Sequence, residues 1–325
     1  RNVVADSTTG VWVADCATPG LEDGQTLDLA VGSGGSAQVF DDDRDSTHRS
    51  IHIANPYFGV DPVSDQVWGS EFASGALVEV RLGGALIGCV VAVGWGNFGL
   101  DASSSSVDIV AGEVVAVSDG VTTKEHTVTS LAVTTVDVDL DTVSGTAEAG
   151  SEVSVWVHDT DAHRNVVADS TGVWVADFSA EPDPGIGDSG TADLVAGSNG
   201  GSGQWDADGD STNVAWHVSN PTFTVETPSQ VWSSSSDWTL GSTVTITVED
   251  PATIESHDYQ ATTTVDCYGP NRWDVGFSHD TGEFVIDPGD VVTATDASAQ
   301  RTLVVASIEV TSFDGSAIRC QIRAG

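Results

Sequence analysis

The chain has 325 residues, 49 of them acidic and 10 basic, for a formal net charge of −39 at pH 7. Such a surface makes nucleic acid and anionic membrane poor partners. No apolar run is long enough to cross a bilayer as a helix, while hydrophobic residues at 39% supply enough material for several small cores.

The chain opens on RNVVADSTTGVWVAD (Arg1–Asp15), which returns as RNVVADSTGVWVAD at Arg164–Asp177, so this is a repeat protein. The correspondence continues. VFDDDRDST (Val39–Thr47) matches QWDADGDST (Gln204–Thr212), HIANPYF (His52–Phe58) matches HVSNPTF (His217–Phe223), and QVW recurs at Trp68 and Trp232. A period of roughly 160 residues is too long for a solenoid turn and suits two small domains per repeat. At the end of the chain, Val304–Gly325 reads without gaps onto Thr129–Gly150.

In chain order, the segments ALVEVRL, VVAVGWGNFGL, EVVAVSDG, EHTVTSLAV, EVSVWVHD, GVWVADF and TVTITVED are short alternating runs rich in Val and Thr, bounded by Gly, Asp and Ser. They predict strands, with no sustained helical stripe, and an all-β fold of tandem sandwiches. The expected units are a partial sandwich at 1–54, sandwiches at 55–132, 133–219 and 220–307, and a terminal strand segment at 308–325. Asn55-Pro56 and Asn220-Pro221 fall at joints, where proline stiffens an extended connection.

Val143–Val155 carries V-x-G-x-A-x-x-G-x-x-V-x-V, and Val166–Asp177 continues with V-x-A-D-x-x-G-x-W. Arg1–Asp15 echoes the second half, and Trp68–Phe98 is a weaker version. This pattern resembles the bacterial Ig-like (Big-type) domains of surface proteins and adhesins. The resemblance implies tandem Ig-like β-sandwiches in an elongated array, secreted or displayed at a cell surface for attachment, spacing or assembly, with no shared active site and no enzymatic activity. The long acidic insert before the last strand departs from the pattern.

That insert holds the main candidate site. Asp41, Asp43 and Asp45, and again Asp206, Asp208 and Asp210, stand at alternate positions of a short loop, as oxygen ligands do at the start of calcium loops. His52 and His217 occupy the place of the closing bidentate carboxylate, so coordination is incomplete and calcium affinity is expected at about 10⁻⁴–10⁻³ M. A solvated acidic hairpin is the alternative. The high acidity fits either high salt or bound divalent cations.

Other motifs are weaker. His158, Asp159, Asp161 and His163 form a HDTDAH loop with two imidazoles, more in keeping with a polar hairpin tip than a metal site. Gly187–Gly190 reads GDSG, a serine-protease string without the histidine and oxyanion hole that a nucleophile needs. Of the ten tryptophans, Trp205 and Trp238 are expected to be exposed and able to stack on surface glycans; Trp12, Trp68, Trp174, Trp216 and Trp232 lie on alternating strands and are expected to pack inward. The four cysteines occupy unrelated repeat positions.

The two ends suggest self-assembly. A sandwich lacking its first strands exposes an edge that the 308–325 segment of a neighbour could complete, giving head-to-tail homopolymers with an intersubunit disulfide between Cys16 and Cys320. An extracellular filament with calcium-stiffened joints is the leading expectation. An adhesin stalk or a carbohydrate-binding array on the cell surface is the alternative.

Overall fold

The computed structural model describes residues 2–18, 26–253, 259–266, 271–276, 285–313 and 318–323. Cys267 lies outside them. The described residues hold strands and two short 3-10 turns, which makes the protein all-β. It divides into two compact units, residues 1–217 and 218–325.

In the first unit, the described residues of 2–54 contribute one hairpin, β1 (Gly34–Phe40) and β2 (Ser46–His52). Seven strands follow: β3 (Tyr57–Asp61), β4 (Gln66–Ser70), β5 (Leu77–Leu82), β6 (Ala85–Val91), β7 (Phe98–Asp101), β8 (Val114–Ser118) and β9 (Thr123–Thr127). The sheet β3-β4-β7 faces the sheet β6-β5-β8-β9 across a core of Phe58, Val60, Val67, Phe72, Val78, Val80, Val115 and Val117. Along β5 and β8 these residues alternate with more exposed ones, whereas in β3 Gly59 is buried as well, under the side chains of Trp68 and Asn213.

The same three-on-four plan recurs in β10 (Ala132–Asp137), β11 (Thr142–Thr146), β12 (Glu152–Val157), β13 (His163–Val167), β14 (Val173–Asp177), β15 (Asn199–Trp205) and β16 (Ser211–His217). Here β10-β11-β14 packs on β13-β12-β15-β16 around Trp174, Phe178, Val153, Val155, Leu194 and Trp216. Gly145 is required in β11, because any Cβ there would overlap the Trp174 ring and the Ala132 carbonyl. Arg164, buried beside the Phe178 ring, donates to the carbonyls of Asp177, His163, Ser189, Gly190 and Ala180 and staples the 180–190 loop to the sandwich.

One connection decides the rest. β16 pairs in parallel with β3, Ser211 beside Gly59 and Thr212 beside Val60. The two sandwiches therefore share a single seven-stranded sheet in the order β13-β12-β15-β16-β3-β4-β7.

The second unit repeats the plan with β17 (Thr224–Glu226), β18 (Gln230–Ser233), β19 (Thr243–Glu249), β20 (Tyr259–Thr264), β21 (Trp273–Gly276), β22 (Val291–Thr295) and β23 (Gln300–Val304), followed by the hairpin β24 (Ser307–Phe313) and β25 (Ile318–Arg323). Its core joins Trp238, Trp273, Ile246, Ile286, Val244 and Val292. The bulge after Val133, where the chain passes from the Val133–Gly145 pair to Thr135–Ser144, returns as Val310–Cys320 and Ser312–Arg319. β24 and β25 are thus related to β10 and β11 by different shifts, and the alignment of the tail needs a gap in the turn between them.

Candidate metal centre

Both acidic loops cap hairpins of the same register: Phe40 pairs with Ser46 and Gly34 with His52, as Trp205 pairs with Ser211 and Asn199 with His217. In each, a main-chain bond closes the tip, Asp41 N to Asp45 O at 3.0 Å and Asp206 N to Asp210 O at 2.9 Å. The carboxylate oxygens of each triad lie within 4.8 Å of one another, close enough to share one cation. The loops differ in what surrounds them.

In the second loop a cation is already present, and it belongs to the protein. The ammonium of Lys124 donates to Asp208 Oδ2 at 2.7 Å and to the Asp208 carbonyl at 2.9 Å, and lies 3.4 Å from Asp210 Oδ2. Asp206 Oδ1 accepts from the amides of Asp208 and Asp210, while its Oδ2 meets His126 Nδ1 at 2.7 Å. Asp210, wholly buried, accepts the Phe58 amide at 2.8 Å. Thr212 Oγ1 accepts the Thr129 amide and contacts His126 Nε2, both at 2.9 Å. Lys124, His126, Phe58 and Thr129 all precede β10, so these bonds tie the hairpin of one sandwich to the sandwich before it.

Electrostatics follow from that geometry. Burial pushes the Asp210 carboxyl up to about 6, against the opposing pull of the Phe58 amide and Lys124. Asp208 is held below the usual carboxylate range by its bond to Lys124. Burial alone would depress the Lys124 ammonium, but Asp208 and Asp210 outweigh it and raise its pKa. Calcium takes six to eight oxygens, and here most carboxylate oxygens already serve amides, an imidazole and an ammonium.

In the first loop Asp41, Asp43 and Asp45 are all exposed. Arg44 there has φ +75°, the left-handed conformation that Gly209 supplies at φ +92° in the second copy.

The remaining candidates fall as follows. Trp205 is 51% exposed, its ring 6.1 Å from that of Trp156. Trp238 is 1% exposed, a correction to its expected exposure: it occupies the core position that Phe72 holds in the earlier sandwich, edge-on to Trp273, with Nε1 donating to the Thr222 carbonyl. Trp174 and Trp216 pack inward, whereas Trp12 and Trp68 are partly exposed. The HDTDAH histidines point to separate partners, His158 to Asn199 and His163 to the Gly187 carbonyl. Ser189 of the GDSG string donates to the Asp161 carbonyl, and Asp188 accepts the Asn165 amide, so neither forms a nucleophile with an imidazole.

A Cys16–Cys320 disulfide would join two chains, and the internal copy supplies the register that strand complementation would follow. Cys320 matches Gly145, whose strand partner is Trp174, whereas Cys16 matches Phe178, four residues further along the chain. At about 3.3 Å per residue that is roughly 13 Å, beyond the ~7 Å Cα separation a disulfide tolerates.

The sequence motifs missed Lys124, His126 and Arg164. Lys124 carried a signal, as the sole lysine in so acidic a chain.

No protein-family model matches the chain, and no curated protein matches it. Among solved structures it is similar to a tetra-tandem repeat from the extending region of a large adhesion protein, at 15% identity over 93% of this chain and 90% of that one, with a TM-score of 0.20. It is also similar to a 1.5-MDa bacterial ice-binding adhesin studied for host cell surface retention, at 16% identity over 76% of this chain and 94% of that one, with a TM-score of 0.19. Among the described residues no helix is long and apolar enough to cross a membrane.

Proposed function

We propose that this chain is a non-enzymatic spacer, a segment of an extracellular stalk of bacterial Ig-like sandwiches that holds a surface protein's working parts at a fixed distance. The observation that carries this reading is the joint inside residues 57–217: a sheet continuous across two sandwiches, closed by Asp210 on the Phe58 amide and by Lys124 between two carboxylates. Such a joint resists bending, because moving either sandwich breaks ladder bonds and strands a buried carboxylate. The inner joint is ammonium-closed. Calcium is proposed only for the exposed Asp41–Asp43–Asp45 loop, in the weak extracellular range.

Hydrogen exchange at the Phe58 amide, with millimolar calcium and after chelation, tests it. Strong protection under both conditions is expected; exchange at loop rates, or protection that disappears with the chelator, overturns the ammonium-closed joint. Calorimetric titration of calcium into wild type and Asp43→Asn reads the outer loop.

A second reading, glycan binding, is favoured by one feature. Trp156, Trp205 and Trp68 lie over Gly201, Gly203 and Gly59 on one face of the seven-stranded sheet, with the Asn213 amide between Gly203 and Gly59. Flat indoles beside an amide suit a sugar's C–H face and hydroxyls. Quenching of tryptophan fluorescence by oligosaccharides, lost in Trp205→Ala, tests it.

A further inference from the structure

The joint between the two sandwiches of the first unit has two halves, and each half occurs a second time in the chain. The acidic half is β15–β16 with Asp206, Asp208 and Asp210; its second occurrence is β1–β2 with Asp41, Asp43 and Asp45, in the same register and exposed. The receiving half is the edge of β3, the Phe58 amide and Lys124. Its second occurrence is in residues 218–325. Phe58 corresponds to Phe223 and β3 to the stretch containing β17, which among the described residues is an edge strand of its sheet.

Lys124 has a basic counterpart. The bonds Gly112 N to Val128 O and Val128 N to Glu113 O recur as Gly289 N to Val305 O and Val305 N to Asp290 O. Ser118 opposite Thr123 recurs as Thr295 opposite Gln300. Lys124 therefore falls on Arg301. That guanidinium donates through Nε to the Pro221 carbonyl and through one terminal nitrogen to Asn220 Oδ1. Arginine has five N–H donors, so more remain for carboxylates.

We propose that the Asp41–Asp45 hairpin of one chain docks on the β17 edge of a second copy of this chain. Arg301 of that copy reaches Asp43 and Asp45 as Lys124 reaches Asp208 and Asp210. Ser46 and Thr47 extend the second copy's sheet beside Thr224 and Val225, and Asp45 accepts the Phe223 amide. The contact is heterologous, so it propagates head to tail. In a chain with this net charge, an arginine between two carboxylates also relieves the like-charge repulsion that opposes association. His126 becomes Leu303 in the second copy, so the imidazole bond to the first aspartate has no counterpart, and the contact is weaker than the inner joint.

This inference rests on the inner joint being real, and the test separates the two. In a background with all four cysteines changed to serine, Ser46→Cys chains are mixed with Thr224→Cys chains under mild oxidation. Ser211 and Gly59, the corresponding residues inside the chain, are direct strand partners, so the two new thiols come within disulfide reach. A mixed disulfide at least ten-fold above either homodimer is expected. It should fall to the homodimer level with Arg301→Glu and recover when Asp43→Arg is placed on the partner chain. Statistical pairing, with the Phe58 amide still protected from exchange, overturns the docking and leaves the spacer reading standing; an unprotected Phe58 overturns both.

Discussion

The hairpins Gly34–His52 and Asn199–His217 have one register and nearly one tip sequence, yet their surroundings are opposite. In the second, Trp216 is buried, Asp210 has no exposure, and Trp174 from the same copy is 1% exposed. In the first, Val39, Phe40 and Ile51 are exposed, and Trp12, the counterpart of Trp174, is 44% exposed. Turn chemistry and strand pairing are local and reproduce themselves wherever the string occurs. Burial depends on partners, and the second copy packs against β10 and β12 and against the preceding sandwich, a setting that the described residues of 2–54 lack. A repeated sequence therefore specifies its hairpin but borrows its core.

The largest effect that distinguishes the copies should come from the paired tryptophans. Trp174→Ala leaves a large void under Gly145 and is expected to cost about 3–5 kcal/mol in urea unfolding of the first unit. Trp12→Ala should change the same transition by less than about 1 kcal/mol. Equal losses would show that residues 2–54 are packed in solution as the second copy is.

Next in size is the inner clamp. Lys124→Met leaves Asp210 buried opposite Asp208 with no countercharge, at an expected cost of about 3 kcal/mol. Arg44→Met, in the exposed loop, should lie within about 0.5 kcal/mol of wild type. Thermal melts of both variants, with and without millimolar calcium, sharpen the contrast: a divalent ion should recover part of the loss only where the ammonium has been removed.

A smaller difference is expected with pH. Asp210 has its pKa raised by burial, to about 6 from an ordinary 3.8, so the folded state binds its proton more tightly than the unfolded state does. The associated stabilisation is complete below the unfolded value and is lost as pH rises through 6. Lowering pH from 7 to 5 should therefore raise the stability of the first unit. Asp208, held low by Lys124, works oppositely and only below the ordinary carboxylate range, where its stabilisation is lost on protonation. Asp210→Asn should flatten the slope between pH 7 and 5; an unchanged slope would assign it to general charge repulsion.

Much of the fold was legible because strands announce themselves locally. Alternating Val and Thr, bounded by Gly and Asp, marked segments that do form β5, β8, β12 and β19, and the doubled strings marked equivalent places. The site was legible only as far as the carboxylates. Their countercharge comes from β9, some eighty residues earlier, and no local pattern links Lys124 to Asp208. Trp238 was misread because its loop setting outweighed its alignment: Glu71-Phe72 and Asp237-Trp238 are the same step, an acid accepting the amide of Asn55 or Asn220 followed by a core aromatic. The Cys16–Cys320 pairing rests on matching two cysteines to neighbouring strands, which says nothing about their separation along them.

The smallest effect probes the tip position where both copies demand a left-handed backbone and only one supplies glycine. Gly209 and Arg44 both sit at positive φ, and a Cβ built on Gly209 meets nothing within 4 Å, so a substitution there changes conformational energy without a steric clash. Left-handed backbone costs an L-residue about 1–2 kcal/mol, while glycine gives back about 0.5–1 kcal/mol of that in unfolded-state entropy. Gly209→Arg should therefore lower the first unit's stability by about 1 kcal/mol, because that tip is coupled through Asp210 to the joint. Arg44→Gly should relieve the same strain without moving the global transition, because the first hairpin carries no buried contact to pass the gain on. Its signature would be slower amide exchange at Asp41 and Arg44 alone. Were the global transition to shift as well, the exposed hairpin would have to be engaged in solution, which is the condition that docking on a second copy would create at high protein concentration and that dilution would reverse.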